Sequence, residues 1–577
     1  MAKTFTLLKY VFSLWAIVLT SHSLHAQSFD LGNLKNAKKL TVTGGLNFNN
    51  LYNSFVPVAT QNNSYFINGS INFNVMGLID IPLNLNYSSR KFSYSQPFSF
   101  NQFSITPKYK WATGYFGTSA MTFSPYTLNG HQFNGVGFDL MPNKWQISTM
   151  AGRLIKKSND STYNRMGYGL KVLYNPGTYR IGFNFLHAAD NPNSIEASIL
   201  ERNSLRPSKN IVLGLEGGIN IAKIAQLDLE FSNSFIAENN NLANADKQTG
   251  IAGIFFAGNG PVRSLTAIKA KLSKSLFDAK TTIGLGYERV DPGYTTFGGY
   301  FFTDDLISYT VNVSQRLWGN KISLSANIGS QQDILETKAN GQSRLVVAAN
   351  LNFTPNEKLN INFSYSTFKG YSYIRDLIKE SRRGSNLIPI DTLNFTQINR
   401  NTSLNVSYNF AQTEKLTQSV SLNGAIMDAA NKQGQIIRQG QASQVYSSQL
   451  SYNMGWPLKK RNLSVGYSYN LNAIGLNNIK LHGPTLNVQQ SFFGDKLSAS
   501  LSVNGLRSIN TSAQNPSSSS VFNTNLNLNY GLSKKSKLLF NVLLLNNQDT
   551  SNTVGAIDAF ALPSTIYTIN LGYQYNF

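Results

Sequence analysis

The sequence predicts an all-β protein, a transmembrane antiparallel up-and-down β-barrel of about 26 strands, in a range of roughly 24 to 28. Three observations predict it. Apolar and polar residues alternate with a period of two in run after run along the chain, the mark of strands whose two faces meet different surroundings. Between the runs, tight polar turns alternate with longer, more varied loops. Beyond the first residues, no apolar stretch approaches the ~20 positions that a membrane helix needs, so strands are the elements available to cross a bilayer. A mean hydropathy of −0.20 agrees with this, because half of each such strand is polar.

In chain order, Lys3 and Lys9 flank the start of an apolar run from Tyr10 to Leu19, and a polar stretch follows to Ala26. Residues 1–26 are expected to be a secretory signal peptide, cut near Ala26. Residues 27–39 read as a short periplasmic lead-in, and residues 40–577 as the barrel. The alternation opens with Leu40, Val42, Gly44, Leu46 and Phe48 outward, and Thr41, Thr43, Gly45, Asn47 and Asn49 inward. Hairpins close at Gly77-Leu78-Ile79, Met141-Pro142-Asn143, Asn175-Pro176-Gly177-Thr178, Trp318-Gly319-Asn320 and Gly494-Asp495. Short turns face the periplasm and long loops face outward, so the strand count is even. That parity decides one segment. Counting Ile251 to Phe256 as a strand would place the tight turn Phe277-Asp278-Ala279 outside, so residues 236–263 read as one long outer loop with a non-spanning apolar piece. The other long loops are 291–305 and 368–397.

The last strand carries Tyr567, Ile569, Leu571, Tyr573, Tyr575 and Phe577 on one face. Rings with polar edges favour the membrane–water boundary. This strand resembles the closing strand of Gram-negative outer-membrane β-barrels. The resemblance implies the outer membrane, contact with its lipid and lipopolysaccharide, and insertion by the barrel-assembly machinery through the strand ending in Phe577. Met121-Thr122-Phe123-Ser124-Pro125-Tyr126-Thr127-Leu128-Asn129-Gly130-His131 and Arg165-Met166-Gly167-Tyr168-Gly169 resemble motifs of large, uncharacterised, porin-like barrels without a plug. That likeness implies a fold and a location but no substrate. A 26-stranded barrel closes to a diameter of roughly 50 Å. Plugged transporters fill such a lumen with an N-terminal domain, and only the lead-in precedes the first strand here. The obstruction is therefore expected from loops or from another polypeptide.

Cysteine is absent, which removes disulfides and thiolate metal sites. The net charge of +22 falls to +20 without Lys3 and Lys9. In a barrel this points to lipopolysaccharide phosphates rather than nucleic acid. His131, His187 and His482 stand far apart without a telling acid, and no nucleophile elbow, zinc or phosphate motif occurs, so neither an enzyme nor a cofactor or metal site is expected. Inward positions of the later strands are nearly uncharged, as in Ser403, Asn405, Ser407 and Asn409. Inward charges gather earlier: Arg90, Lys108, Lys110, Lys171, Arg180, Glu216, Asp228, Glu230, Glu288, Arg316 and Arg344 are the candidate pore-lining residues. In loop 368–397, Ile374, Leu377 and Ile378 keep helical spacing. Arg375, Lys379, Arg382 and Arg383 make this stretch a candidate constriction, or else a helix packed on the rim. The aromatic loop 291–305 is expected to pack its rings against one another. These features imply a channel for passive passage of hydrophilic solutes, partly occluded by its own loops. The alternative is a scaffold or export barrel that houses or anchors a periplasmic or surface partner protein.

Overall fold

The computed structural model describes residues 38–577, except 56–60, 91–100, 158–161, 196–205, 222–223, 239–252, 254–255, 257–261, 279, 301–303, 333–342, 373–394, 434–435, 438–442, 475–476, 512–516 and 550–564. It is a closed antiparallel barrel of 26 strands. Each strand pairs with its sequence neighbours, and the first, Leu40–Asn53, pairs with the last, Thr565–Asn576, from Gly45↔Asn576 to Asn53↔Thr568. Gly44 and Phe577 exchange backbone hydrogen bonds at 3.2 and 3.0 Å and seal the seam. A sheet closed in this way has no edge, so every spanning backbone group finds a partner without water.

Two short pieces do not add to the count. Gln102–Ile105 and Lys108–Tyr109 are one wall strand interrupted at Pro107, which has no N–H for the ladder. The carbonyl of Pro107 instead accepts from the Gly114 N–H at 2.8 Å. Ile436–Ile437 pairs with the far end of Thr417–Gln433 and prolongs that hairpin.

The expected tight turns form. Met76, Asn143, Phe277, Asp278, Trp318 and Asn320 hold positive φ between 50° and 71° there. Such turns match the right-handed twist of the strands they join. Within 251–256, read as a non-spanning piece of an outer loop, the described Gly253 and Phe256 stand outside any strand. Loop 368–397 is shorter than its sequence implies: Leu359–Ser372 pairs with Phe395–Gln412 up to Ser372↔Phe395. A hairpin that rises past the bilayer has water on both faces and needs no apolar alternation, so its ladder outruns the pattern. The remaining 373–394, with Arg375, Lys379, Arg382 and Arg383, lies outside the described residues.

The two faces of the wall differ as the alternation requires. Along Tyr179–Asp190, Tyr179, Ile181 and Phe183 are exposed outward, while Asn184, Leu186 and Ala188 opposite them are buried. Outward Ile181 is 62% exposed and Leu215 56%, which is tolerable only against lipid. Ring pairs mark both ends of the last strand, Tyr52 with Tyr567 at 6.1 Å and Tyr575 with Phe577 at 5.8 Å.

Candidate functional site: an inward shelf on one sector of the wall

Two outer connections turn back over the polar face of the sheet. Residues 123–128 join Ala112–Thr122 to Asn129–Leu140, and residues 291–305 join Thr281–Val290 to Leu306–Leu317. They meet in a parallel bridge between Leu128 and Gly298. Asn129 N–H donates to the Gly298 carbonyl at 2.8 Å, the Thr296 hydroxyl to the Thr127 carbonyl at 2.5 Å, and the Tyr294 hydroxyl to the Tyr126 carbonyl at 2.9 Å. Each loop thus satisfies polar backbone groups of the other, which a buried connection requires.

The shelf they form is seated on wall side chains. Phe123, Leu128 and Phe133 bury against Met150, Leu154, Leu186 and Val212. Glycine clears the space: a Cβ on Gly169 would stand 2.7 Å from the Phe123 ring. Lys171 Nζ donates to the Phe123 carbonyl at 2.6 Å and lies 2.7 Å from Glu216 Oε1. The Tyr126 hydroxyl donates to Glu288 Oε1 at 2.6 Å. From the second loop, Phe297 N–H donates to Asn210 Oδ1 at 3.0 Å, and Ser234 donates to the Thr295 carbonyl at 2.6 Å. Arg165 grips Asp190 through two hydrogen bonds of 2.7 and 3.0 Å, with its guanidinium 3.5 Å from the Phe297 ring centre. His131 stacks on Tyr300 at 4.0 Å. Burial pushes the Tyr126 and Tyr294 phenols up, and the Glu288 charge pushes Tyr126 further, so both remain protonated donors.

Below the shelf runs a belt of charge. One rung across the strands reads Glu216↔Glu230↔Lys269↔Glu288. The next rung toward the tight turns pairs Asp228 with Lys271, and Arg180 reaches Asp228 at 3.1 Å. The fold therefore brings Lys171, Arg180, Glu216, Asp228, Glu230 and Glu288 into one sector. Others lie elsewhere. Lys108 pairs with Asp80 near the opposite, tight-turn rim, and Arg316 stands near that rim too. Arg344 sits in Ser343–Phe353, its side chain outside the described residues. Arg90 follows the end of Ile79–Ser88, and Lys110 occupies a turn with φ 47°, so neither stands on the wall: the ladder ends before each.

Of the loops expected to obstruct, 291–305 turns inward. Its rings pack against partners, Tyr294 edge-on to Tyr126 at 6.3 Å. Phe256, from 236–263, instead covers Ile211, Phe235 and Ala237 on the outward face. The segment 123–128 was not expected in the lumen. Its signal was Phe123, Tyr126 and Leu128 where a loop should be polar, together with glycines at inward positions such as Gly167, Gly169 and Gly214. Away from the shelf the wall is nearly uncharged, and some of its side chains bond one another: Asn352 donates to Asn362 at 2.5 Å, Ser364 meets Ser403 at 2.6 Å, and Asn541 donates to Asn525 at 2.8 Å. Among the described residues no His, Asp and Glu group is placed to hold a metal.

An edgeless sheet, apolar outside and polar inside, with rings at both ends of its strands, is the architecture of an outer-membrane β-barrel protein. No family model matches the sequence, and no curated protein does. Among solved structures the chain is similar to the translocation pore of the P pilus usher PapC, at 10% identity and a TM-score of 0.43, covering 93% of this chain and 99% of that one. It is also similar to the FrpB iron transporter from Neisseria meningitidis, at 9% identity and a TM-score of 0.38, covering 94% and 83%. A mutant ferric enterobactin receptor from Pseudomonas aeruginosa matches at 10% identity and a TM-score of 0.37, covering 93% and 81%. Such likenesses say nothing of cargo.

Proposed function

We propose that this protein is an outer-membrane channel for passive passage of hydrophilic solutes, its mouth narrowed on one side by the shelf of its own outer loops. The observation that carries the reading is the neutral wall. Its amides and hydroxyls, some of them bonded to one another across strands, hydrate the lumen without holding fixed charge in the path. A backbone diameter of roughly 50 Å leaves room beside a shelf that occupies one sector. The apolar outward face and its rings suit the outer membrane, with lipopolysaccharide as the surrounding outer leaflet.

The test is conductance of the pure protein in planar bilayers, with swelling of liposomes in neutral sugars. Steady channels and sugar entry are expected. Silence of a correctly folded barrel until a co-purified protein is removed would overturn the reading in favour of a barrel that houses or anchors a partner.

A further inference from the structure

We infer that the inner wall just below the shelf carries a binding site for small monoanionic sugars, the carboxylates of hydroxylated monosaccharides, with Lys271 as its anion-holding group. The inference rests on the channel reading for its biological sense but not for its chemistry.

The site is a groove of about 340 Å³ between Val262–Leu276 and Ser343–Phe353. That volume lies at the small end of ligand pockets, the size of a single sugar ring rather than a chain of them. Its inward side chains include Lys271, Asn312, Ser325, Asn327 and Asn350, with Gly284 leaving the floor low. Two features together suit it to a ligand.

The first is charge. Around the belt, Lys171 is tied to Glu216, Arg180 to Asp228, and Lys269 to Glu288 at 3.8 Å. Lys271 is exposed and makes no ion pair among the described residues. Its cross-strand neighbour Asp228 is taken by Arg180, and its other neighbour is Gly286. An exposed ammonium with three donors and no partner is an anion site in waiting.

The second is the state of the amides. In other parts of the wall some Asn and Ser side chains pair across strands, as Ser421 does with Ser451 at 2.7 Å. Within the groove, Asn312, Asn327, Asn350 and Ser325 make no side-chain hydrogen bond among the described residues, although register places Asn312 opposite Asn327 and Ser325 opposite Asn350. Each amide offers two donors and an acceptor, the complement of a ring bearing several hydroxyls. One cation beside a fan of unspent amides selects a ligand with one negative charge and many hydroxyls. A neutral sugar would leave Lys271 unused, and a dianion would exceed it.

The position suits a solute in transit. Tyr126 of the shelf bonds Glu288, and Lys271 lies one rung nearer the periplasm than the Lys269–Glu288 pair. A molecule that clears the shelf meets the groove next.

The experiment is calorimetric titration of the detergent-solubilised full chain with glucuronate, glucose and glucosamine, beside conductance in potassium chloride. Glucuronate should bind and the other two should bind at least tenfold more weakly. Lys271→Gln should weaken glucuronate by about tenfold or more, the value of one charge-assisted hydrogen bond, and leave glucose unchanged. Lys271→Arg should retain binding, and added salt should weaken it. Because Lys271 is exposed, its replacement leaves the barrel intact, checked by heat-modifiability on a gel. Equal binding of glucuronate and glucose, no binding at all, or indifference to Lys271→Gln would overturn the site. A conducting barrel without glucuronate binding removes the groove and leaves the channel. Binding without conductance does the reverse.

Discussion

Lys171 shows what a single residue does in this wall. It is nearly buried, bonded to the Phe123 carbonyl and paired with Glu216, so it holds the shelf by backbone and compensates an inward carboxylate at once. Lys171→Met should leave Glu216 uncompensated beside Glu230, at a local cost of roughly 3–5 kcal/mol. Single-channel conductance should rise while the folded band on a gel persists. Unchanged conductance would mean that the shelf is held without the ion pair. Gly169→Leu should give the same rise by a different route, since its Cβ would meet the Phe123 ring at 2.7 Å. The phenols add a pH dependence of definite sign. Tyr126 and Tyr294 have folded values above the unfolded value of about 10, so their contribution is complete below that pH and is lost as pH climbs past it. Conductance should be flat through neutral pH and rise on the alkaline side. A rise confined to acid would point to the carboxylates instead. At this scale the inward charges were legible because a period of two assigns every side chain a face. The inward glycines were legible as gaps in the wall, but an absent side chain carries no sign of which ring fills its space.

Among the elements, the hairpins were readable because turn chemistry is local: Trp318-Gly319-Asn320 must adopt positive φ, and those residues say so. The shelf was not, because it is made by two loops more than a hundred and fifty residues apart, as in the Tyr294–Tyr126 contact at a separation of 168. No periodicity records a meeting of that kind. Pro107 was a plain interruption in the sequence, yet its strand survives as two pieces held by neighbours on both sides. The bridge between Leu128 and Gly298 makes the shelf one unit rather than two flaps. Gly298→Val should break it, since a Cβ there would lie 2.4 Å from the Thr127 carbonyl and 2.6 Å from Leu186. The expected outcome is a conductance rise equal to that of Gly169→Leu, with no further rise in the double variant. Additive increases would show that the loops act separately.

For the whole molecule, closure is the stabilising fact. The seam depends on Gly44, Gly45, Asn576 and Phe577. Removing Tyr575, Asn576 and Phe577 should open it at the periplasmic rim and abolish the heat-modifiable folded form. A truncated chain that still migrates as a compact barrel would mean that the first and last strands close without their terminal rung. The shelf, fixed to one arc of the ring and leaving the neutral arc bare among the described residues, also makes the opening lopsided. A round hole sorts molecules by overall bulk, whereas a slot sorts them by their thinnest dimension. In the channel proposed above, flat rings and slender chains should therefore pass where compact spheres of equal mass are held back, and selectivity should follow shape more closely than molecular weight.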